Sequence, residues 1–270
     1  MPSTSFHPLQ EMNLLPSYKN CIIEESNPLS GIIWEFYEFD TNEMPLEGLL
    51  CLPDSCPDMI FQLTPRYNMP LALGCFSHAS RHLFPKNTTL FGIRFAAGVF
   101  HRFSNIPIGS FLGKEVLLSK TDTWTIALSH ALQDAKGFSA RTEIAMYFLK
   151  QHCNKHSASP VVEQISTAIV RTHGLLRINE LASQLGCSDR YLRMLCTRYI
   201  GQSPKQFAET MQFQMAICHF AASPNETLEE LAFQCGFHDS AHMNKIFKHL
   251  TGCAPSTFLA DFSPLHAETK

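Results

Sequence analysis

At 270 residues the chain is long for one hydrophobic core and fits two domains, on a prior of about 150 residues each. With 45% hydrophobic and 17% charged residues it can bury such cores, which excludes a disordered, collagenous or coiled-coil protein. The formal charge of −3, from 21 basic and 24 acidic residues, gives no whole-molecule field that announces a nucleic-acid partner, so any such reading must come from local pattern.

No run approaches the ~18 apolar residues of a membrane span, and residues 1–10 lack the basic and apolar parts of a secretory leader. A soluble, cytoplasmic protein without membrane contact is therefore expected. The ten cysteines are scattered with no Cys-x-x-Cys pair, and they read as reduced, mostly buried thiols.

In chain order, residues 19–95 hold short apolar runs (21–23, 32–39, 48–52, 59–63, 71–76 and 90–95) separated by Pro, Gly, Asn and Asp clusters. That spacing predicts a β-rich domain over 1–119. A short helix is predicted at 96–103. The period then turns helical: Trp124, Leu128, Ala131, Leu132 and Ala135 share a face ended by Gly137. Ile144, Tyr147 and Phe148 mark a second helix opened at Ser139. These two helices read as a connector over 120–157, with dimerisation as a role. The polar stretch 152–159 ends in Ser159 and Pro160, an N-cap followed by a first helical residue, and a second domain is expected over 158–270.

That second region contains its own repeat. Ile178, Leu181, Ala182, Leu185 and Gly186 recur fifty residues later as Leu228, Leu231, Ala232, Cys235 and Gly236. Ser188, Leu192, Leu195, Cys196, Tyr199, Gly201, Pro204 and Phe207 recur fifty-one residues later as Asp239, Met243, Ile246, Phe247, Leu250, Gly252, Pro255 and Phe258. Each copy predicts a helix, a Gly-containing turn, an N-capped helix, a Gly stop and a Pro-opened helix. This is the helix-turn-helix unit, placed at about 177–201 and 227–252. One such unit is weak evidence for DNA binding, because glycine-turned helical pairs are common; two are stronger. The linker from Ser203 to Ala222 is long enough for a ~30 Å helix, which suits two second helices set about one DNA turn apart in successive major grooves.

The runs TLEELAFQCGF (227–237), DSAHMNKIFK (239–248) and GCAP (252–255) resemble the signature of the AraC/XylS transcription regulators, over about residues 160–262. The run LPDSCPDMIFQL (52–63), with FGIRF (91–95) and Gly98, is similar to the sensor-like domain in one branch of that family. The resemblance implies an α+β chain: a β-rich regulatory domain, cupin-like in one form, and an all-α double helix-turn-helix domain. It implies a sequence-specific regulator whose partners are double-stranded DNA, a second copy in a homodimer, RNA polymerase and a small-molecule effector of unassigned identity. No cofactor, no metal and no enzymatic activity are expected.

Family geometry directs the start and first exposed turns of each second helix to base edges. In the first unit these positions are Asp189, Arg190, Arg193 and Met194, and in the second Ser240, Ala241, Asn244 and Lys245. Arg190, Arg193 and Lys245 suit guanine O6 and N7, and Asn244 suits adenine or a phosphate. Arg198, Lys205, His242 and Lys248 would serve the backbone. Polar residues that merely solvate a helix face are the plain alternative.

The chain also departs from the family. Many members carry Arg where Met194 and Gln212 stand, often also at Met215, and Phe where Cys196 stands. Residues 158–270 hold nine Lys/Arg against ten Asp/Glu, so phosphate neutralisation is limited. A protein-interaction or anti-activator regulator with a weakened DNA-binding domain therefore stays open as an alternative.

Other constellations carry less. His152, Cys153 and His156, and Cys51 with Cys56, lack the paired four-ligand spacing of structural zinc. His78, Arg81 and His82 follow an apolar strand where a cupin-type enzyme keeps its ligands, but no His-x-His with a trailing Glu is present. No Gly-x-Ser-x-Gly elbow occurs. Trp34, Phe36, Tyr37 and Phe39 read as core.

Overall fold

The alternating side chains of one central strand set up two cores. The computed structural model describes residues 7–64, 70–153 and 160–262, which form an α+β chain with strands first and helices after. Strand β2 (Ile33–Asp40) lies between β1 (Lys19–Ile22) and β7 (Thr89–Phe95) in a six-stranded antiparallel sheet. That sheet continues through β4 (Asp58–Leu63) and β5 (Leu71–Leu73) to β8 (Glu115–Leu117). Because side chains alternate across a pleated strand, Phe36 points to one face with Met59, Phe61, Phe91 and Ile93, and the register shift between Ile33 and Glu35 brings Ile33 to the same face. Tyr37 and Phe39 point to the other with Ile60, Leu73 and Leu90. The second face is closed by a small sheet of β3 (Leu49–Cys51) and β6 (Ser80–His82).

Helices α1 (Trp124–Asp134) and α2 (Phe138–His152) cover the first face, where Leu128, Leu132, Ala145 and Leu149 are buried with the sheet's aromatics. The two helices thus pack on the N-terminal sheet. Gly137, at φ +90°, serves as the N-cap of α2, while α1 already stops at Asp134. The helix expected at 96–103 is only a 3-10 turn, Phe100–Arg102. The expected core role holds for Phe36, Tyr37 and Phe39, whereas Trp34 is only partly buried at the edge of the core.

A buried ion network ties this sheet together. Arg94 donates two hydrogen bonds to Asp58, at 3.0 Å each, and one to Glu35 at 3.3 Å; Asp54 lies 3.9 Å away. Tyr37 lies under the guanidinium. Gln10 Nε2 donates to Asp54 at 2.8 Å and to the Leu52 carbonyl, anchoring the N-terminal segment. Burial pushes the Asp54 carboxyl up to about 6, against the opposing pull of Arg94. The adjoining cavity has about 30 Å³ of free volume, room for one or two waters.

The remaining helices are α3 (Pro160–Arg171), α4 (Ile178–Gln184), α5 (Asp189–Tyr199), α6 (Pro204–Ala222), α7 (Leu228–Gln234), α8 (Ser240–Thr251) and α9 (Pro255–Phe262). Helix α6 opens on a capping box of Ser203 and Gln206 with Pro204 in its first turn. It serves two cores. Phe207, Ala208 and Met211 pack with Leu181, Leu192 and Leu195 of the first repeat. Phe213, Ala216 and Ile217 pack with Leu231, Met243 and Phe247 of the second. The repeat's expected apolar faces are thus buried as read from sequence. No helix among the described residues is long and apolar enough to cross a membrane.

Candidate nucleic-acid interface

Each repeat forms a helix pair by the same local means. In the first, Gly186 takes φ +63° after α4, and the Ser188 hydroxyl accepts from the Tyr191 N–H at 3.3 Å to start α5. In the second, Thr227 and Glu230 form a capping box on α7. Gly236 takes φ +71°, and Asp239 accepts from the His242 N–H at 2.7 Å to start α8. These bonds satisfy N–H groups that a helix start leaves free. The bond to the His242 N–H, with His238 beside it, holds the Asp239 carboxyl below its usual range.

The buried faces of α5 and α8 leave the opposite faces to solvent. On α5 Asp189, Arg190, Arg193, Met194 and Arg198 are exposed, and Arg190, Met194 and Arg198 follow one another at four-residue spacing with Arg193 beside Met194. On α8 Ser240, Ala241, Lys245 and Lys248 are exposed. Arg190, Arg193, Lys245 and Lys248 make no ion pair among the described residues, so their charge is free for a ligand. Lys205, at the start of α6, lies 3.6 Å from Glu209.

Two expected contacts are placed differently from the rest. His242 is half-buried, its Nδ1 accepting from the His238 N–H at 3.4 Å while its ring packs on Phe237. Asn244 is also half-buried, and its Oδ1 is enclosed without a partner among the described residues. Neither extends as freely as Lys245. Of the family departures, Gln212 is buried and donates to the Gly236 carbonyl at 3.1 Å, bracing the second turn. Cys196 is fully buried in the first core, whereas Met194 stands 52% exposed.

No sequence pattern marks the contact by which the N-terminal half grips both second helices at their C-terminal ends. The segment at Ile108–Ser110 lies against α5, and a Cβ on Gly109 would sit 2.6 Å from the Thr197 carbonyl oxygen, so only glycine allows that approach. The His101 ring lies 4.9 Å from that of Tyr199. On α8 the Ala79 N–H donates to the Leu250 carbonyl at 2.6 Å, and the rings of His78 and His249 are 4.9 Å apart. Further contacts join the halves. The Ser55 hydroxyl donates to Gln202 at 2.9 Å, Gln214 is bonded to Leu9 and Pro53, and Arg102 pairs with Glu163 of α3. Leu52 and Ala97 enter the second and first helical cores. Nothing in the spacing of Gly109 or His78 marks them for this role.

The described residues contain no group of three His, Cys, Asp or Glu placed to hold a metal ion. All ten cysteines are unpaired; Cys51, Cys56, Cys75, Cys196 and Cys235 are buried and Cys253 is exposed.

Comparison with known proteins matches the same regions. A helix-turn-helix domain family covers residues 181–261, and a domain of unknown function (DUF6597) covers residues 23–117. The uncharacterized HTH-type transcriptional regulator YidL of Escherichia coli (strain K12) is 33% identical over 104 residues, 37% of this chain and 35% of that protein. The match therefore spans about a third of the curated relative's length. Among solved structures, ToxT from Vibrio cholerae is 12% identical with a TM-score of 0.43, covering 90% of this chain and 98% of that one. A second ToxT structure, with unsaturated fatty acid bound, is 11% identical with a TM-score of 0.41, covering 90% and 93%.

Proposed function

With an AraC-type helix-turn-helix domain in its C-terminal region, we propose that the chain is a sequence-specific DNA-binding transcription regulator that reads two adjacent major grooves. The observation that carries this reading is the doubled unit. Two N-capped helices, α5 and α8, each expose unpaired cations at matching turns, and one 19-residue helix joins them. At 1.5 Å per residue α6 spans about 29 Å, close to one turn of B-DNA. Arg190, Arg193 and Lys245 are assigned to base edges, and Arg198, Lys205 and Lys248 to phosphates.

The grip on α5 and α8 supports modulation by an effector or partner. A ligand that binds one arrangement of residues 77–79 and 108–112 better than another shifts the spacing of the two helices, and only that difference in affinity can do so. Pairing through α1 and α2 and contact with RNA polymerase belong to the same proposal, as does the absence of catalysis.

Selection of bound duplexes from a random DNA library tests the reading. A bipartite motif with half-sites about ten base pairs apart is expected. A folded chain that enriches no motif overturns it. That outcome would favour a regulator that pairs with another protein, a reading supported by Phe233, 80% exposed on α7.

A further inference from the structure

Where the 3-10 turn Phe100–Arg102 meets the start of α1 and the end of α2, a cavity of about 340 Å³ opens to solvent, away from the space inside the sheet. Its walls include Phe103 and Trp124, and the Trp124 ring lies 4.7 Å from that of His152. Its uncompensated charge is negative. Asp122 is 7% exposed and takes both of its hydroxyl bonds on Oδ2, from Ser104 at 2.7 Å and Thr121 at 2.9 Å. Oδ1 accepts no hydrogen bond among the described residues. Arg102, which also lines the cavity, already spends Nε and Nη2 on Glu163, at 2.6 and 2.5 Å.

The two histidines add acceptors rather than charge. Nδ1 of His152 is buried without a partner among the described residues. Burial lowers both His101 and His152 below the ordinary histidine range, so each is neutral at pH 7. The C-terminal end of α2, at His152, contributes further partial negative charge. A carboxylate, an imidazole with one nitrogen unpartnered among the described residues and an indole ring line one space, which matches a cation that carries N–H donors. A metal ion fits less well, for want of a three-ligand cluster among the described residues.

We propose that this cavity is the binding site of a small organic ammonium, held by Asp122 and His152 and packed against Trp124. The site touches the DNA-binding half directly, because His101 packs on Tyr199 at the end of α5 and Arg102 pairs with Glu163 of α3. Occupancy therefore bears on the first recognition helix. This regulatory consequence rests on the function proposed above, whereas the binding itself does not.

The test is calorimetric titration of the full chain with three probes of one shape and different charge: phenethylammonium, phenethyl alcohol and phenylacetate. The ammonium is expected to bind at least tenfold more tightly than the alcohol, and the carboxylate not to bind. Asp122→Asn should abolish that preference. Should this variant fail to fold, His152→Phe keeps the aromatic wall, removes the acceptor and should weaken ammonium binding severalfold while sparing the alcohol. Equal affinity for all three probes, preference for phenylacetate, or a preference that survives in the folded variants overturns the site. Titration of the library-selected duplex, with and without the ammonium, then separates the two readings. A threefold or larger change in DNA affinity supports the coupling, and an unchanged affinity overturns it. Ammonium binding by a chain that selects no DNA overturns the DNA reading and leaves the site standing.

Discussion

Arg193 is exposed on α5 with no ion-pair partner among the described residues, one turn from Arg190 and away from the buried Leu192 and Leu195. A guanidinium so placed can make a bidentate contact with guanine. Arg193→Ala should therefore cost ~1–3 kcal/mol of discrimination at one or two base pairs, measured by competition among operator variants. Uniform loss across all variants would reassign it to a phosphate. Asp54 offers a second test at this scale. Its folded-state pKa, about 6, lies above the unfolded value of 3.8, so the folded chain binds the proton more tightly than the unfolded chain. Stability from this group is full below the unfolded value and lost as pH rises through the folded one, by up to ~3 kcal/mol. The melting temperature of the wild type relative to Asp54→Asn should thus rise on going from pH 7.5 to pH 5. A constant difference would show that Arg94 holds Asp54 ionised throughout.

Among the elements, α8 depends most on one side chain. Phe247 is fully buried, with ring centroids 5.0 Å from Phe213 of α6 and 6.0 Å from Phe258 of α9. It joins three helices where α8 alone, at twelve residues, would be marginal. Phe247→Ala should cost ~3–5 kcal/mol, read from chemical denaturation of the full chain. An unchanged midpoint would show that the second core is held elsewhere. Helix α6 has the opposite character, since its burial is divided between the two cores. Its buried polar side chains, Thr210, Gln212 and Gln214, all have partners: Gln202, the Gly236 carbonyl, and the Leu9 and Pro53 backbone. The helix that links the two units is therefore also held by the N-terminal half, as α5 and α8 are.

For the whole molecule the decisive quantity is charge. Arg190, Arg193, Arg198, Lys245 and Lys248 are exposed on the two second helices, while the domain around them is close to neutral. If Arg198, Lys205 and Lys248 each neutralise one phosphate, log affinity should fall with log salt at a slope of about −2.7 per chain. A slope near twice that value indicates two chains on one operator, and a slope near zero removes direct DNA binding. Sedimentation of the full chain, free and on DNA, gives the number of chains independently. Linking two modules would raise avidity by ~10²-fold or more where site spacing permits.

The local devices were legible in the sequence because they are local. The fifty-residue repeat, the caps at Ser188, Ser203 and Asp239, the Pro-opened α6 and α9, and the buried faces of Leu181, Leu192, Leu231 and Phe247 all follow from side-chain period and helix-end chemistry. The longer strands announced themselves likewise, whereas β6 and β8, three residues each, did not: Ser80, Arg81 and His82 have no apolar period, and pairing with β3 alone makes them a strand. Contacts between residues far apart in the chain were decided only by the tertiary structure. Arg94 meets Asp54, Asp58 and Glu35, the connector helices turn onto the sheet, and Gly109 and Ala79 meet the ends of α5 and α8 through pairings that sequence periodicity does not encode. A periodic pattern shows that a face will be buried, but which face covers it depends on how the whole chain closes.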